Sequence, residues 1–316
     1  DGRVYFCNSG AEAHEAAFKL ARLNSSASRQ KIVALKNSFH GRTMGALALT
    51  GKPELSARFE PLPGEVVHIN STIEALELAI DDSVAALFLE PIKGEAGVLE
   101  LPEEYLARAR ELTAKHGVLL IIDEIQTGLG RTGRWFAYEH AGIQPDAVTI
   151  AKGMAGGVPI GALVTFGWAS DLFTKGQHGS TFGGNPLATA AANAVLGEIE
   201  RAGLVSNAER RGAQLREIIL GFRSPLIEEV RGQGLLLGIG LSKPVAHELV
   251  AAAMDAGLII NAANESSIRL APPLIVGDAE LAGELERLSQ QATAADQREL
   301  SRRLVGSAGA LRSGPG

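Results

Sequence analysis

Two rhythms of apolar residues alternate along the chain. Short unbroken apolar runs (VYFCNS, KIVALKN, VVHI, VAALFLEPI, VLLIIDE, DAVTIA and GALVTF) predict β-strands. A strand with one wet face would alternate polar with apolar. These runs do not, so they predict strands covered on both faces. Between them, AEAHEAAFKLARL, ALELAI and PEEYLARARELTAKHG carry apolar residues at helical spacing, the last with a proline near its start and a glycine stop. Strands interleaved with helices predict an α/β fold with a mainly parallel, doubly wound sheet. After NPLATAAANAVLGEIERAG comes a helix over 204–222 rich in Arg and Glu. From LIEEVRGQGLLLGIGL the pattern restarts as strand, helix, strands and helix, ending near residue 293. This divides the chain into a large domain over 1–203 and a smaller C-terminal α/β domain over 204–295. The tail over 296–316 is small, polar and glycine-rich and is expected to be disordered. No internal repeat is visible.

Composition excludes more than it identifies. Of 316 residues, 46% are hydrophobic and 21% charged, the balance of a globular protein. A net charge of −6 argues against a nucleic-acid or other polyanionic partner. Cys7 is the sole cysteine, so no internal disulfide can form, which fits a reducing compartment and a cytoplasmic location. No apolar run approaches the ~18 residues a membrane helix needs, and no signal peptide is evident. The chain opens on DGRVYFCNSGAEA, already inside a strand and without an initiator methionine. A preceding N-terminal segment is therefore expected.

The first chemical question is Lys152, in TIAKGMAGGVPIGAL, where an ammonium ends an apolar run and glycines follow. Three roles fit it: a surface loop lysine, a phosphate-binding lysine, or a Schiff-base lysine that attacks an aldehyde. GALALTGKPE around Lys52 approaches a P-loop, but its glycine spacing is one residue too long and Pro53 stands where a magnesium-binding hydroxyl belongs. A Schiff-base lysine serving pyridoxal phosphate needs a buried carboxylate to keep the ring nitrogen protonated. Asp123 ends the apolar strand of GVLLIIDEIQTGLGRTG, where open α/β sheets bind ligands; alone, it reads equally as a capping acid. GLGRTG also matches a dinucleotide-binding glycine pattern, yet no clear helix follows and the acid expected about twenty residues on is missing. Ser9, Gly10 and Ala11, in CNSGAEAHEAA, turn a strand into a helix whose free N–H groups suit a phosphate; an ordinary serine N-cap is the plainer reading. Phe39, in SFHGRT just past a strand end, suits a ring lid or plain core packing.

Taken in order, strand-SGAE-helix, FHGRT, EPIKGEAG, DEIQTGLGRTG, AKGMAGGVPIGA, GSTFGGNPLA and IRLAPPL resemble the class-III PLP-dependent ω-aminotransferases of fold type I, from residue 1 to about residue 290. Within that class the likeness is greatest to enzymes acting on N-acetylornithine. The resemblance implies pyridoxal 5'-phosphate as cofactor and a ping-pong transfer of an ω-amino group to 2-oxoglutarate, in arginine biosynthesis. The products are a semialdehyde and glutamate. It implies Lys152 as the Schiff-base lysine and proton shuttle, Asp123 as partner of the pyridinium nitrogen, and Gln126 as partner of the ring's phenolic oxygen. Phe39 and Ile125 would cover the two ring faces, and Ser9, Gly10 and Ala11 would hold the phosphate. Thr181 would reach the phosphate of the neighbouring subunit in a homodimer with shared sites. Arg42 and Arg269 would bind substrate carboxylates, and Glu95 would pair with Arg269 while the ω-amino substrate is bound. Without the resemblance these three read as surface charges or structural ion pairs. No metal site is assigned.

One residue departs from the pattern: His14 stands where these enzymes usually show Asn. Related reactions remain open at this level: ornithine, succinyl-ornithine, succinyl-diaminopimelate or 4-aminobutyrate as donor, an aminomutase of the same fold, or an inactive truncated relative.

Overall fold

The computed structural model describes residues 2–255 and 257–281. Seven apolar segments become the strands of one sheet: β1 (Gly2–Cys7), β2 (Lys31–Leu35), β3 (Glu65–Ile69), β4 (Val84–Leu89), β5 (Leu119–Asp123), β6 (Ala147–Ile150) and β7 (Gly161–Phe166). Their spatial order is β1-β7-β6-β5-β4-β2-β3. Neighbours from β3 through β6 pair in parallel, and β7 alone runs against the rest.

The unbroken apolar runs have their explanation in the two faces of this sheet. Ala34, Phe88 and Ile121 pack with Ala16, Ala17 and Leu20 of helix α1 (Gly10–Leu23) on one side. Val33, Leu87, Leu120 and Ile122 pack with Leu76, Tyr105 and Leu112 on the other. Side chains alternate along each strand, but both faces of the central strands are dry, so β4 is apolar at every position; the edge strands β1 and β3 depart from that expectation and are largely exposed, because each lacks a neighbour on one side. Each fully buried Leu, Ile or Phe contributes about 1.5–3 kcal/mol. The helix expected from Pro102 begins at Tyr105.

A second core forms around β8 (Ile227–Gln233), β9 (Leu236–Leu241), β10 (Asn261–Asn264) and β11 (Ser267–Leu270), an antiparallel sheet of order β8-β9-β11-β10. The helices Leu204–Gly221 and Ala246–Asp255 contribute Leu215, Ile219, Leu249 and Ala253 to it. Arg231 Nε donates to the Gly97 carbonyl at 2.8 Å, and Asn264 Nδ2 to that of Ala96 at 3.2 Å, so the small sheet grips the loop carrying Glu95. The end of the helix expected near residue 293 and the tail over 296–316 lie outside the described residues.

Candidate active site

Because β1, β2, β4, β5 and β6 run the same way, their carboxyl ends share one edge, and the polar residue closing each apolar run arrives there with its neighbours. A cavity of about 480 Å³ opens at that edge. Ser9, Gly10, Ala11, Phe39, Arg42, Glu95, Asp123, Ile125, Gln126 and Lys152 all line it. Arg269 lines an adjoining cavity that shares Ile125, Gln126 and Lys152. Thr181 lines neither; it lies exposed on a turn pinned by Ser180, whose Oγ accepts from Asn8 Nδ2 at 3.2 Å.

Lys152 follows β6 with φ of 44°, the left-handed region that a side chain makes costly outside glycine. Its side chain is open to the cavity, and among the described residues its Nζ has no hydrogen-bond or ion-pair partner. Surrounding protein still lowers the pKa of its amine by desolvation, against the opposing charges of Asp123 and Glu95. Lys52, by contrast, is engaged: its Nζ donates to the Glu95 carbonyl at 2.9 Å.

Asp123 is buried, and the register of β5 with β6 sets it beside Thr149. Oδ2 accepts from His40 Nδ1 at 2.9 Å and lies 3.1 Å from His14 Nε2. Oδ1 accepts from the Ile125 N–H at 2.9 Å and is 3.5 Å from Thr149 Oγ1, which leaves this oxygen room for a further donor. Burial alone would raise the Asp123 pKa, but the two imidazoles outweigh it and hold the carboxyl well below the usual range.

The walls are equally specific. Ser9 caps α1, its Oγ accepting from the Glu12 N–H at 3.2 Å, and Ile125 lies over the first turn so closely that a Cβ on Gly10 would come within 2.8 Å of its Cδ1. The Arg42 guanidinium stands 5.7 Å from the centre of the Phe39 ring. Glu95 and Arg269 are paired at 2.5 Å, with Gln126 Nε2 3.4 Å from the same carboxylate oxygen. Desolvation pushes the Glu95 pKa up, but Arg269 prevails and lowers it. A Cβ on Gly94 would fall 1.6 Å from Gln126 Oε1, so only glycine there lets Gln126 keep its place.

Sequence reasoning does not single out Glu90, His40 and Thr149. Glu90 directly follows β4, Thr149 is the last residue but one of β6 and His40 lies in the loop after β2, and a polar residue near a strand's carboxyl end is the signal that could find them. Glu90 Oε2 accepts from the Phe39 N–H at 2.9 Å. Desolvation, and then the charge of Asp123, push its pKa up to about 8. The folded carboxyl thus keeps a proton that the unfolded one releases near 4.5. Between those values the folded state binds more proton, so this group's contribution to stability falls as pH rises. Glu90→Gln keeps an acceptor for Phe39 and cannot titrate. In urea unfolding of the cofactor-free protein, the stability difference should shift in the variant's favour from about pH 5 to about pH 8 and then level. A difference independent of pH would show Glu90 ionised throughout.

An unpaired lysine amine and a deeply buried carboxylate, brought to one cavity at the carboxyl edge of a mainly parallel sheet, define an amine-transferring enzyme of the fold-type-I kind. The chain matches the class-III aminotransferase family over residues 1–291 and belongs to it. It is 56% identical over 282 residues to the acetylornithine aminotransferase of Mycobacterium tuberculosis, covering 89% of this chain and 70% of that protein. To the protein of the same name from Streptomyces clavuligerus it is 45% identical over 304 residues, covering 94% and 74%. Among solved structures, the ornithine aminotransferase from Toxoplasma gondii superposes with a TM-score of 0.89 at 36% identity, over 94% of this chain and 74% of that one. An amine transaminase from an uncultivated Pseudomonas species, in its PLP-bound form, gives 0.85 at 30% identity, over 93% and 77%.

Proposed function

We propose that this enzyme transfers the ω-amino group of N-acetylornithine to 2-oxoglutarate, as a step of arginine biosynthesis, with pyridoxal 5'-phosphate as its cofactor. The relatives that carry the acetylornithine aminotransferase name, at 45–56% identity over most of the chain, support the substrate. The observation that carries the chemistry is the unpartnered Lys152 amine and the buried, strongly acidic Asp123 lining the same cavity.

The residues present fit the cofactor: the absence of a side chain at Gly10 lets Ile125 lie close over the helix start, and Oδ1 of Asp123 has room for one more donor. Bound there, the cofactor supplies an aldehyde for amine exchange and a protonated ring that withdraws electrons from the amino-bearing carbon. Asp123 holds the proton on the ring nitrogen. Lys152, its pKa lowered, offers a lone pair at neutral pH and then carries a proton to and from the reacting carbon. Gln126 would donate to the ring's phenolic oxygen, Phe39 and Ile125 would cover the ring, and Ser9, Gly10 and Ala11 would hold the phosphate. Thr181 completes that cradle in a second copy of the chain, which makes the enzyme a homodimer with shared sites. We place it in the cytoplasm, with small-molecule partners only, neither nucleic acid nor membrane. Among the described residues no helix is long and apolar enough to cross a membrane. The division of the chain at residues 203 and 204 belongs to the same proposal.

The paired Glu95 and Arg269 explain how one site takes two kinds of substrate. Closed, the pair buries the arginine's charge while an ω-amine reacts and Arg42 binds that substrate's carboxylate. Opened, Arg269 is free for the α-carboxylate of glutamate. The test is a panel of amino donors with 2-oxoglutarate, followed by single-turnover half-reactions. N-acetylornithine should be the preferred donor, and glutamate should form mole for mole. A bidentate arginine–carboxylate pair contributes about 1.5–3 kcal/mol and lysine does not reproduce its geometry. Arg269→Lys should therefore slow the glutamate half-reaction roughly ten- to a hundredfold and spare the N-acetylornithine half. Arg42→Lys should do the reverse. Equal losses in both halves would break the division of labour.

A further inference from the structure

The side chain proposed to read the donor's carboxylate, Arg42, is itself held by little. Its guanidinium stands over the Phe39 ring, and among the described residues it makes no hydrogen bond or ion pair. Its reach is therefore set by its backbone. On one side the loop is fixed by Thr50, whose Oγ1 accepts from the His40 N–H at 3.0 Å and lies 3.1 Å from the Gly41 carbonyl oxygen. On the other side Arg42 leads into the short helix α2 (Met44–Leu49). Thr43 is the N-cap of α2, yet its hydroxyl makes no capping bond to that helix. A carboxylate from another helix takes its place. Oε1 of Glu15, on α1, accepts from the Thr43 hydroxyl at 2.5 Å, from the Gly45 N–H at 2.9 Å and from the Ala46 N–H at 3.1 Å. The two N–H groups are among those a helix start leaves without a partner of its own. A Cβ on Gly45 would come within 2.4 Å of Glu15 Oε2, and one on Gly41 would lie 3.0 Å from the Ala11 Cβ, so the loop closes on α1 only because both residues lack side chains. Farther along, Ala48 and Leu49 pack with Ala16, Ala17 and Leu20. Apolar burial thus holds the end of α2, and Glu15 holds its start.

We infer that Glu15 is a positioning residue that fixes the reach of Arg42 toward the donor's carboxylate, by anchoring the start of α2 to the helix whose first turn is proposed to hold the phosphate. The inference rests on the reading above, that Arg42 binds that carboxylate. One helix of 14 residues, Gly10–Leu23, then carries both the phosphate turn and the anchor. The cofactor is placed by the first and the arginine by the second, so the span between the reacting amine and the carboxylate is set by one rigid element. An arginine–carboxylate pair is geometrically demanding, and a misplacement of about 1 Å can cost about a hundredfold in rate.

The test compares two donors in the cofactor-loaded enzyme: N-acetylornithine, and N-acetyl-1,4-diaminobutane, the same molecule without its carboxylate. The ratio of their kcat/KM values measures how well the carboxylate is read. Arg42→Ala should lower that ratio about ten- to a hundredfold. Glu15→Ala should lower it about tenfold, while kcat/KM for the diamine stays within about twofold of the parent. With Arg42→Ala already present, Glu15→Ala should lower the ratio no further, because the two residues act through one contact. A general loss of structure would slow both donors alike, and that result overturns the inference. So does an effect of Glu15→Ala on the ratio that persists in full without Arg42. Should Glu15→Ala fail to fold, Thr43→Val decides, since it removes one donor to the same oxygen and leaves α1 untouched: a ratio lowered about threefold supports the inference, and an unchanged ratio overturns it. If Arg42→Ala itself leaves the ratio unchanged, the reading of Arg42 fails and the inference fails with it.

Discussion

Lys152→Ala should abolish amino transfer while leaving a folded protein. Proton transfer by a positioned amine contributes about 10²–10⁴ by itself. The same amine is also the proposed nucleophile, so the combined loss should exceed about 10⁴, on the order of 5.5 kcal/mol of barrier. The fold should tolerate the change because the Lys152 Nζ holds no hydrogen bond or ion pair among the described residues. The thermal midpoint should therefore move little. Borohydride reduction of the loaded parent should fix cofactor covalently to the peptide containing Lys152, and the variant should show no such product. Label on Lys52 instead would overturn the assignment. Lys52 is the natural rival in sequence, but its ammonium already donates to the Glu95 carbonyl, which ties it down.

Asp123→Asn should cost about three orders of magnitude in turnover, roughly 4 kcal/mol, with cofactor still bound. The amide can accept a hydrogen bond but carries no charge to keep the ring nitrogen protonated in a dry site, where charge pairing counts far more than in water. The variant should also lose stability without cofactor. His40 Nδ1 loses the carboxylate oxygen it donates to, and a weakened buried hydrogen bond typically costs about 1–3 kcal/mol. Thermal unfolding of the cofactor-free variant measures that loss separately from turnover. Near-native turnover in Asp123→Asn with bound cofactor would remove the carboxylate from the mechanism.

Much of this architecture is legible in the chain itself. The doubly wound sheet shows because strands buried on both faces must be apolar along their length, as in VAALFL and in LLIID up to its final aspartate. Asp123, Lys152 and Phe39 stand out because each follows or closes an apolar run, at the point where the strand ends. Parallel strands bring such ends to one edge whatever the loops do. The parts assigned to Gln126, Ile125, Arg42 and Thr181 come from likeness to a family, since nothing in their local spacing separates them from ordinary loop residues.

Packing alone decided the rest. Glu95 and Arg269 are 174 residues apart and meet only because the small sheet grips the loop between Gly94 and Gly97. Glu90 and Glu95 share one short motif, yet desolvation beside Asp123 raises the pKa of the first while Arg269 lowers that of the second. In the sequence, His14 is a single unusual residue on a helix. Its surroundings are set by the register of β5 with β6 and the approach of α1, which bring Oδ2 of Asp123 to 3.1 Å and Thr149 Oγ1 to 3.4 Å from its Nε2. A local pattern can require that a residue be buried or stand at an end. Which charge it then faces, and how little water remains between them, is set by contacts distant in the chain.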